Sequence, residues 1–150
     1  MELFRITKEK YSGNLIASGS ANRWNKSGQK VIYAGSSRSL STLEMLVHKC
    51  GIISSVDFKV MVISIPDDEK YLIQIRINML PVNWRKMSEY SKLQEIGSEW
   101  YIKKESLVLK VPSVIIPYEF NYAINTVHPE FAKCIKLVRT EDCFWDERLS

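Results

Sequence analysis

A mixed β-sheet core with short interspersed helices, α+β or α/β in class, is what this 150-residue sequence predicts. Three observations carry that reading. Residues 56–65, VDFKVMVISI, form a β-branched run closed by Pro66-Asp67-Asp68, the mark of a strand. Leu43, Leu46, Val47 and Cys50 recur at i, i+3, i+4 and i+7, a helical period. Segments of both kinds follow one another without internal repeat, low-complexity tract or linker, and the length suits one domain over residues 1–150 with a core of its own.

In chain order, Leu3, Phe4 and Ile6 read as a first strand, with Arg5 on the face opposite Phe4. Residues 8–29 form a polar loop rich in Gly and Ser, and Val31–Ala34 a short apolar strand broken by Gly35 to Arg38. A helix follows from Ser41, its apolar face made by Leu43, Leu46, Val47 and Cys50, and Gly51 stops it. After the strand at 56–65 the pattern is less legible through Ile77, and Leu80-Pro81-Val82-Asn83-Trp84 reads as an irregular turn. Residues 92–103 are expected to be helical, ending near Lys103-Lys104. Ser106–Val111 is a further strand terminated by Pro112-Ser113. Residues 117–132, with two prolines and two asparagines, read as loop or short helix, and Ala132–Val138 as a last strand.

Composition narrows the function classes. Cys50, Cys134 and Cys143 are odd in number and widely spaced, and His48 and His128 are the only histidines, which argues against a zinc site and for a reducing compartment. The start of the chain lacks the layout of a signal peptide, and no apolar run is long enough to span a membrane, so a cytoplasmic protein is expected. Residues 1–50 hold eight Lys or Arg against three Glu, while the rest of the chain is nearly balanced. A local positive field of this kind suits an anionic ligand such as a nucleotide, or an acidic protein surface, and is too weak for direct nucleic-acid binding. Neither a phosphate-binding glycine fingerprint nor a G-x-S-x-G elbow occurs, which disfavours a Rossmann unit and ordinary serine hydrolases. An isologous homodimer is the common arrangement for a small soluble protein.

Individual residues admit more than one reading. Ser41-Thr42-Leu43-Glu44 fits a capping box, Ser41 capping the helix and Glu44 reaching back; alternatively Glu44 faces a cleft and stabilises positive charge. Arg5 and Arg23 are surface charges or a pair of phosphate clamps. Tyr33 is a half-buried core ring or a stacking platform for a flat heterocycle. Ser113, Asn121 and Asn125 fit turns, His128 a structural place and Cys50 the core.

The words FRI, NRWNKSGQKVIYAGS, SLSTLEMLVH, LPVNWR, IGSEWY, SLVLKVPSVIIP, NYAINTVHPEF and FWDERL occur in that order from Leu3 to Leu149. Together they resemble the RES-domain family, named for its Arg, Glu and Ser. The resemblance implies an α+β fold similar to that of ADP-ribosyltransferases. It also implies a toxin of a type II toxin–antitoxin pair that acts on NAD as substrate without a metal, and an Xre-like antitoxin that blocks the cleft. Matched position by position, the catalytic Arg, Glu and Ser are Arg23, Glu44 and Ser113, while Arg5, Tyr33 and Asn121 fall on further pocket positions. The family's usual glycine before the Arg is here Asn22, a residue type that tolerates left-handed backbone. The family's usual Asn-Pro before the histidine is replaced by Asn125-Thr126-Val127.

The chemistry so implied is cleavage of the nicotinamide–ribose bond through an oxocarbenium-like state. Nicotinamide leaves as a neutral molecule from a cationic ring, so no general acid is required and one carboxylate suffices. Glu44 would hold a ribose hydroxyl, Arg5 and Arg23 the diphosphate, and Tyr33 the nicotinamide. Ser113 and Asn121 would orient ribose or amide groups, and Trp24 reads as packing for Arg23. Water, phosphate or a protein side chain could be the acceptor. The rivals are a catalytically silent nucleotide-binding module and an RNA-cleaving toxin.

Overall fold

The computed structural model describes residues 1–48 and 57–149. Cys50 and Gly51, expected in the core and at a helix stop, and Val56 lie outside the described residues. Seven strands form one mixed sheet: β1 (Glu2–Lys8), β2 (Val31–Gly35), β3 (Phe58–Ser64), β4 (Leu72–Gln74), β5 (Val108–Pro112), β6 (Phe120–Asn125) and β7 (Lys136–Asp142). Their order is β4-β5-β6-β2-β1-β3-β7, antiparallel except for the parallel pair β4–β5. Among the described residues, three α-helices accompany it, besides short 3-10 turns: α1 (Arg38–His48), α2 (Tyr90–Lys103) and the four-residue α3 (Phe131–Cys134). Of the two classes that the pattern leaves open, the structure has α+β, the one the resemblance implies.

Strand alternation divides the apolar residues between two cores. On β2, Ile32 and Ala34 join the first, with Leu3, Met61, Ile63, Tyr122 and Ile124. Val31 and Tyr33 join the second, with Ala123, Leu109, Val111, Leu93 and the three tryptophans Trp24, Trp84 and Trp100. The registers Ile32↔Ile124 and Tyr33↔Ala123 explain the split, because directly opposed residues share a face. α2 and the loop around Trp24 cover the second face.

Four expectations change. The capping box at Ser41 is absent: the helix starts a turn earlier, where Ser37 Oγ accepts from the Leu40 backbone N–H at 3.1 Å. Ser41 Oγ instead donates to Phe4 O at 2.7 Å and Ser37 O at 2.9 Å, and Glu44 is engaged elsewhere. Secondly, the inward face of α1 is not Leu43 and Val47, which are 37% and 60% exposed, but Leu40, Ser41 and Met45. Counting only apolar residues misplaced the face, because one of its members is a serine that binds backbone. Thirdly, residues 120–125 are a central strand rather than loop or short helix. Asn125, expected in a turn, is fully buried there, donating from Nδ2 to Tyr101 O at 3.1 Å and accepting from Val127 N at 3.1 Å. Fourthly, Phe131–Cys134 is a helical turn, and the last strand begins only at Lys136.

One junction positions everything that follows. β1 pairs with β3 from Glu2 to Lys8, but with β2 only at Phe4↔Gly35. Gly35 is also opposite Asn121 on β6. A Cβ at Gly35 would stand 2.5 Å from Ser41 Oγ, so the missing side chain is what lets α1 lie against this row. Glu44, one turn after Ser41, is thereby brought over Asn121.

Candidate active site

Past the Phe4–Gly35 pair the two strands part. Arg5 and Ile6 on one side, with Ala34 and Tyr33 on the other, flank a cavity of about 390 Å³. Glu44, Met45 and His48 of α1, the loop Ser20–Trp24, Tyr90, Pro112, Val114 and Asn121 complete its walls. That volume and mixture of aromatic and polar groups suit a small organic ligand.

At its centre the Glu44 carboxylate is held through one oxygen. Asn121 Nδ2 donates to Oε1 in a short hydrogen bond, and Ser113 Oγ donates to the same atom at 3.2 Å. Among the described residues no donor reaches Oε2. The Ser113 hydroxyl itself accepts from the backbone N–H groups of Ile115 and Ile116, both at 3.1 Å. Its acceptor capacity is thus spent on backbone, and its one proton is directed at Glu44. Ser113 is 1% exposed and lies behind the cavity rather than on its wall. It can act on a ligand only through Glu44. Ser113→Ala is therefore expected to leave ligand binding nearly unchanged and to slow turnover about tenfold, the worth of one charged hydrogen bond. A comparison of kcat and KM checks this.

The two arginines flank this carboxylate. Arg5 Nη1 donates to Ile16 O at 3.4 Å, and Arg23 Nη1 to Arg85 O at 3.5 Å. Each guanidinium has five donors, and these are the only hydrogen bonds either makes among the described residues; neither forms an ion pair with a carboxylate there. Burial lowers both pKa values from the ordinary arginine range, opposed at Arg23 by Tyr90 and Glu44. Guanidinium stays charged at neutral pH, so the cleft holds two cations with donors to spare, an anion-binding arrangement.

A small preformed turn presents Arg23. Asn22 and Asn25 exchange backbone hydrogen bonds at 3.0 and 3.3 Å, and Asn22 Oδ1 accepts from Arg23 N at 2.8 Å. The turn forms without left-handed backbone at Asn22; positive φ at non-glycine positions occurs, among the described residues, only at Lys104 and Tyr118. Gln94 Nε2 of α2 donates to Asn22 O at 2.9 Å, and the Arg23 guanidinium lies 5.1 Å from the Tyr90 ring centre. Trp24, 3% exposed, is buried in the second core. Tyr33 lines the cavity and donates its hydroxyl to Asn25 Oδ1 at 2.7 Å. Burial pushes this phenol well above its ordinary pKa, against a smaller opposing effect of the Trp24 backbone.

Of the six residues singled out from the sequence, Arg5, Arg23, Tyr33, Glu44 and Asn121 line one cavity, and Ser113 stands behind it. Tyr90, Asn25 and His48 were not singled out. Tyr90 precedes the helix expected at 92–103, with nothing local to mark it, and Asn25 reads as one more polar loop residue. His48 does follow Glu44 at i+4, the spacing that puts both on one helix face.

The comparisons with known proteins agree with one another. The family model described as RES domain matches residues 2–146. A protein named Toxin Res from Photorhabdus laumondii subsp. laumondii is 35% identical over 153 residues, 99% of this chain and 97% of its own. Another Toxin Res, from Yersinia enterocolitica, is 34% identical with 99% of each chain covered. A Sphingobium protein named Prs ADP-ribosylating toxin is 34% identical over 128 residues, 85% of this chain and 79% of its own. Among solved structures, a chain of the M. tuberculosis MbcT–MbcA toxin–antitoxin complex superposes with a TM-score of 0.72. That match covers 95% of this chain and 83% of the other at 14% identity, a likeness of fold.

Proposed function

The chain belongs to the RES domain family, and on that footing we propose that it is the toxin of a toxin–antitoxin pair whose cleft cleaves the nicotinamide–ribose bond of NAD. The observation that carries this is the Glu44 carboxylate, held at Oε1 by Asn121 and Ser113, inside a cavity lined by Arg5 and Arg23. With Oε1 tied down, Oε2 serves the substrate: it accepts from a ribose hydroxyl and stabilises the positive charge that grows as nicotinamide departs. The arginines hold the diphosphate, and this remote binding fixes the reacting bond against Glu44. The Tyr33 ring packs on the nicotinamide. Ser113 and Asn121 act by orienting Glu44.

The acceptor is water or inorganic phosphate in this reading. A protein side chain is the second reading, favoured by the name of the Sphingobium relative, Prs ADP-ribosylating toxin. An Xre-like antitoxin covering the cleft, a cytoplasmic setting and a homodimer complete the proposal; the names of the relatives and the toxin–antitoxin complex among the fold's neighbours support an antitoxin partner.

Incubating the purified protein with NAD, with and without phosphate, and measuring free nicotinamide tests it. Release by the protein alone is the expected result. Release only when a target protein is supplied, with label transferred to that target, establishes the second reading. NAD binding without release identifies a silent binding module and overturns the enzymatic proposal, as does RNA cleavage with no effect on NAD.

A further inference from the structure

Asn25 has no assigned role, yet its side chain is among the most fully engaged in the molecule. It is 1% exposed. Its Nδ2 donates to both Ser20 O and Lys26 O at 2.9 Å, closing the ends of the loop that carries Arg23. Its Oδ1 accepts the Tyr33 hydroxyl at 2.7 Å, tying that loop to β2. Its backbone pairs with Asn22 in both directions. Only a carboxamide supplies two donors and an acceptor in this space: a carboxylate would face two carbonyl oxygens, and a hydroxyl has a single proton.

From this geometry we infer that Asn25 is a positioning residue, holding the Arg23 guanidinium and the Tyr33 ring at a set separation so that they receive a flat ring and an anionic group of one ligand together. The inference rests on the reading of the cleft as an NAD site and adds a consequence to it. The phenol proton of Tyr33 is committed to Asn25, so Tyr33 meets the ligand with its ring face and not as a hydrogen-bond donor. Arg23 and Tyr33 then behave as a unit, and loosening the link between them weakens binding before it alters the chemistry at Glu44.

The test compares wild type, Asn25→Ala and Asn25→Asp in steady-state NAD cleavage, well below the unfolding midpoint of each, with amide hydrogen exchange measured on the same proteins. KM is expected to rise about tenfold or more in both variants, with a smaller fall in kcat, as lost hydrogen bonds release the loop. Exchange at the Asn22 amide is expected to quicken while β6 keeps its protection. An unchanged KM in either variant overturns the inference, even if kcat or stability falls, because a merely structural asparagine reduces the amount of active protein without changing its affinity. If wild type does not cleave NAD, the functional reading fails separately. The exchange measurement then decides alone: unaltered protection at Asn22 in Asn25→Ala overturns the positioning role, and quickened exchange confined to the loop upholds it.

Discussion

Glu44→Gln is expected to reduce nicotinamide release by about 10²–10³-fold while leaving the fold intact and NAD binding nearly unchanged. Glutamine has the same shape, and its carbonyl oxygen can still accept from Asn121 and Ser113, as Oε1 does. What it loses is the negative charge. In the proposed site that charge would matter little to a ground-state substrate held by Arg5 and Arg23, and most when the ribose turns cationic. Nicotinamide release with calorimetric NAD binding checks both halves. Turnover equal to wild type would remove Glu44 from the chemistry.

Gly97→Ala is expected to be among the most destabilising conservative substitutions in the chain. A Cβ there would stand 1.8 Å from Trp24 O and 2.6 Å from Trp24 C. Backbone atoms cannot rotate aside, so α2 or the Arg23 loop must shift. Either movement strains the hydrogen bonds from Gln94 to Asn22 O and from Gln29 to Ser98 Oγ, at 2.9 and 2.6 Å. Overpacking of this kind costs about 3 kcal/mol. Alanine's better helix propensity returns about 1 kcal/mol, the smaller effect. The net loss is expected to lower Tm by roughly 4–8 °C in a chain of this size, read by circular dichroism. KM is expected to rise as well, because Arg23 rides on the displaced loop. An unchanged Tm would mean that the helix and loop are not packed this closely in solution.

These two residues also mark the limits of legibility. β3 and the end of α2 could be read because β-branched residues, and a helix running out at Lys103-Lys104, leave local traces. β6 could not, because its asparagines face inward to bind Glu44 and the Tyr101 carbonyl, so polar residues that ordinarily mark a turn serve a buried strand. The face of α1 was misplaced for a related reason, its serine being anchored on the first strand. The residues of the candidate site are legible only through the order of motifs along the chain. Periodicity contributes nothing to Arg23, Ser113 or Asn121; the turn reading of Ser113 holds, its hydroxyl accepting from the Ile115 and Ile116 amides, but no local rule reveals that its proton meets Glu44. Gly97 lies within a helical pattern, where a glycine costs stability, and only the approach of Trp24 explains it.

Glu44 is 69 residues ahead of Ser113 and 77 ahead of Asn121. The strand that carries Asn121 sits between β5 and β2, so the carboxylate has neither donor until the later part of the chain has been made and inserted. At usual rates of synthesis, 77 residues take roughly 4–15 s. Throughout that interval a growing chain already holds Arg5, Arg23 and Glu44 but lacks the two donors that fix the carboxylate in the folded structure. Under the proposed function, the carboxylate would thus gain its two anchoring donors, and with them its activity, only late in the synthesis of the chain.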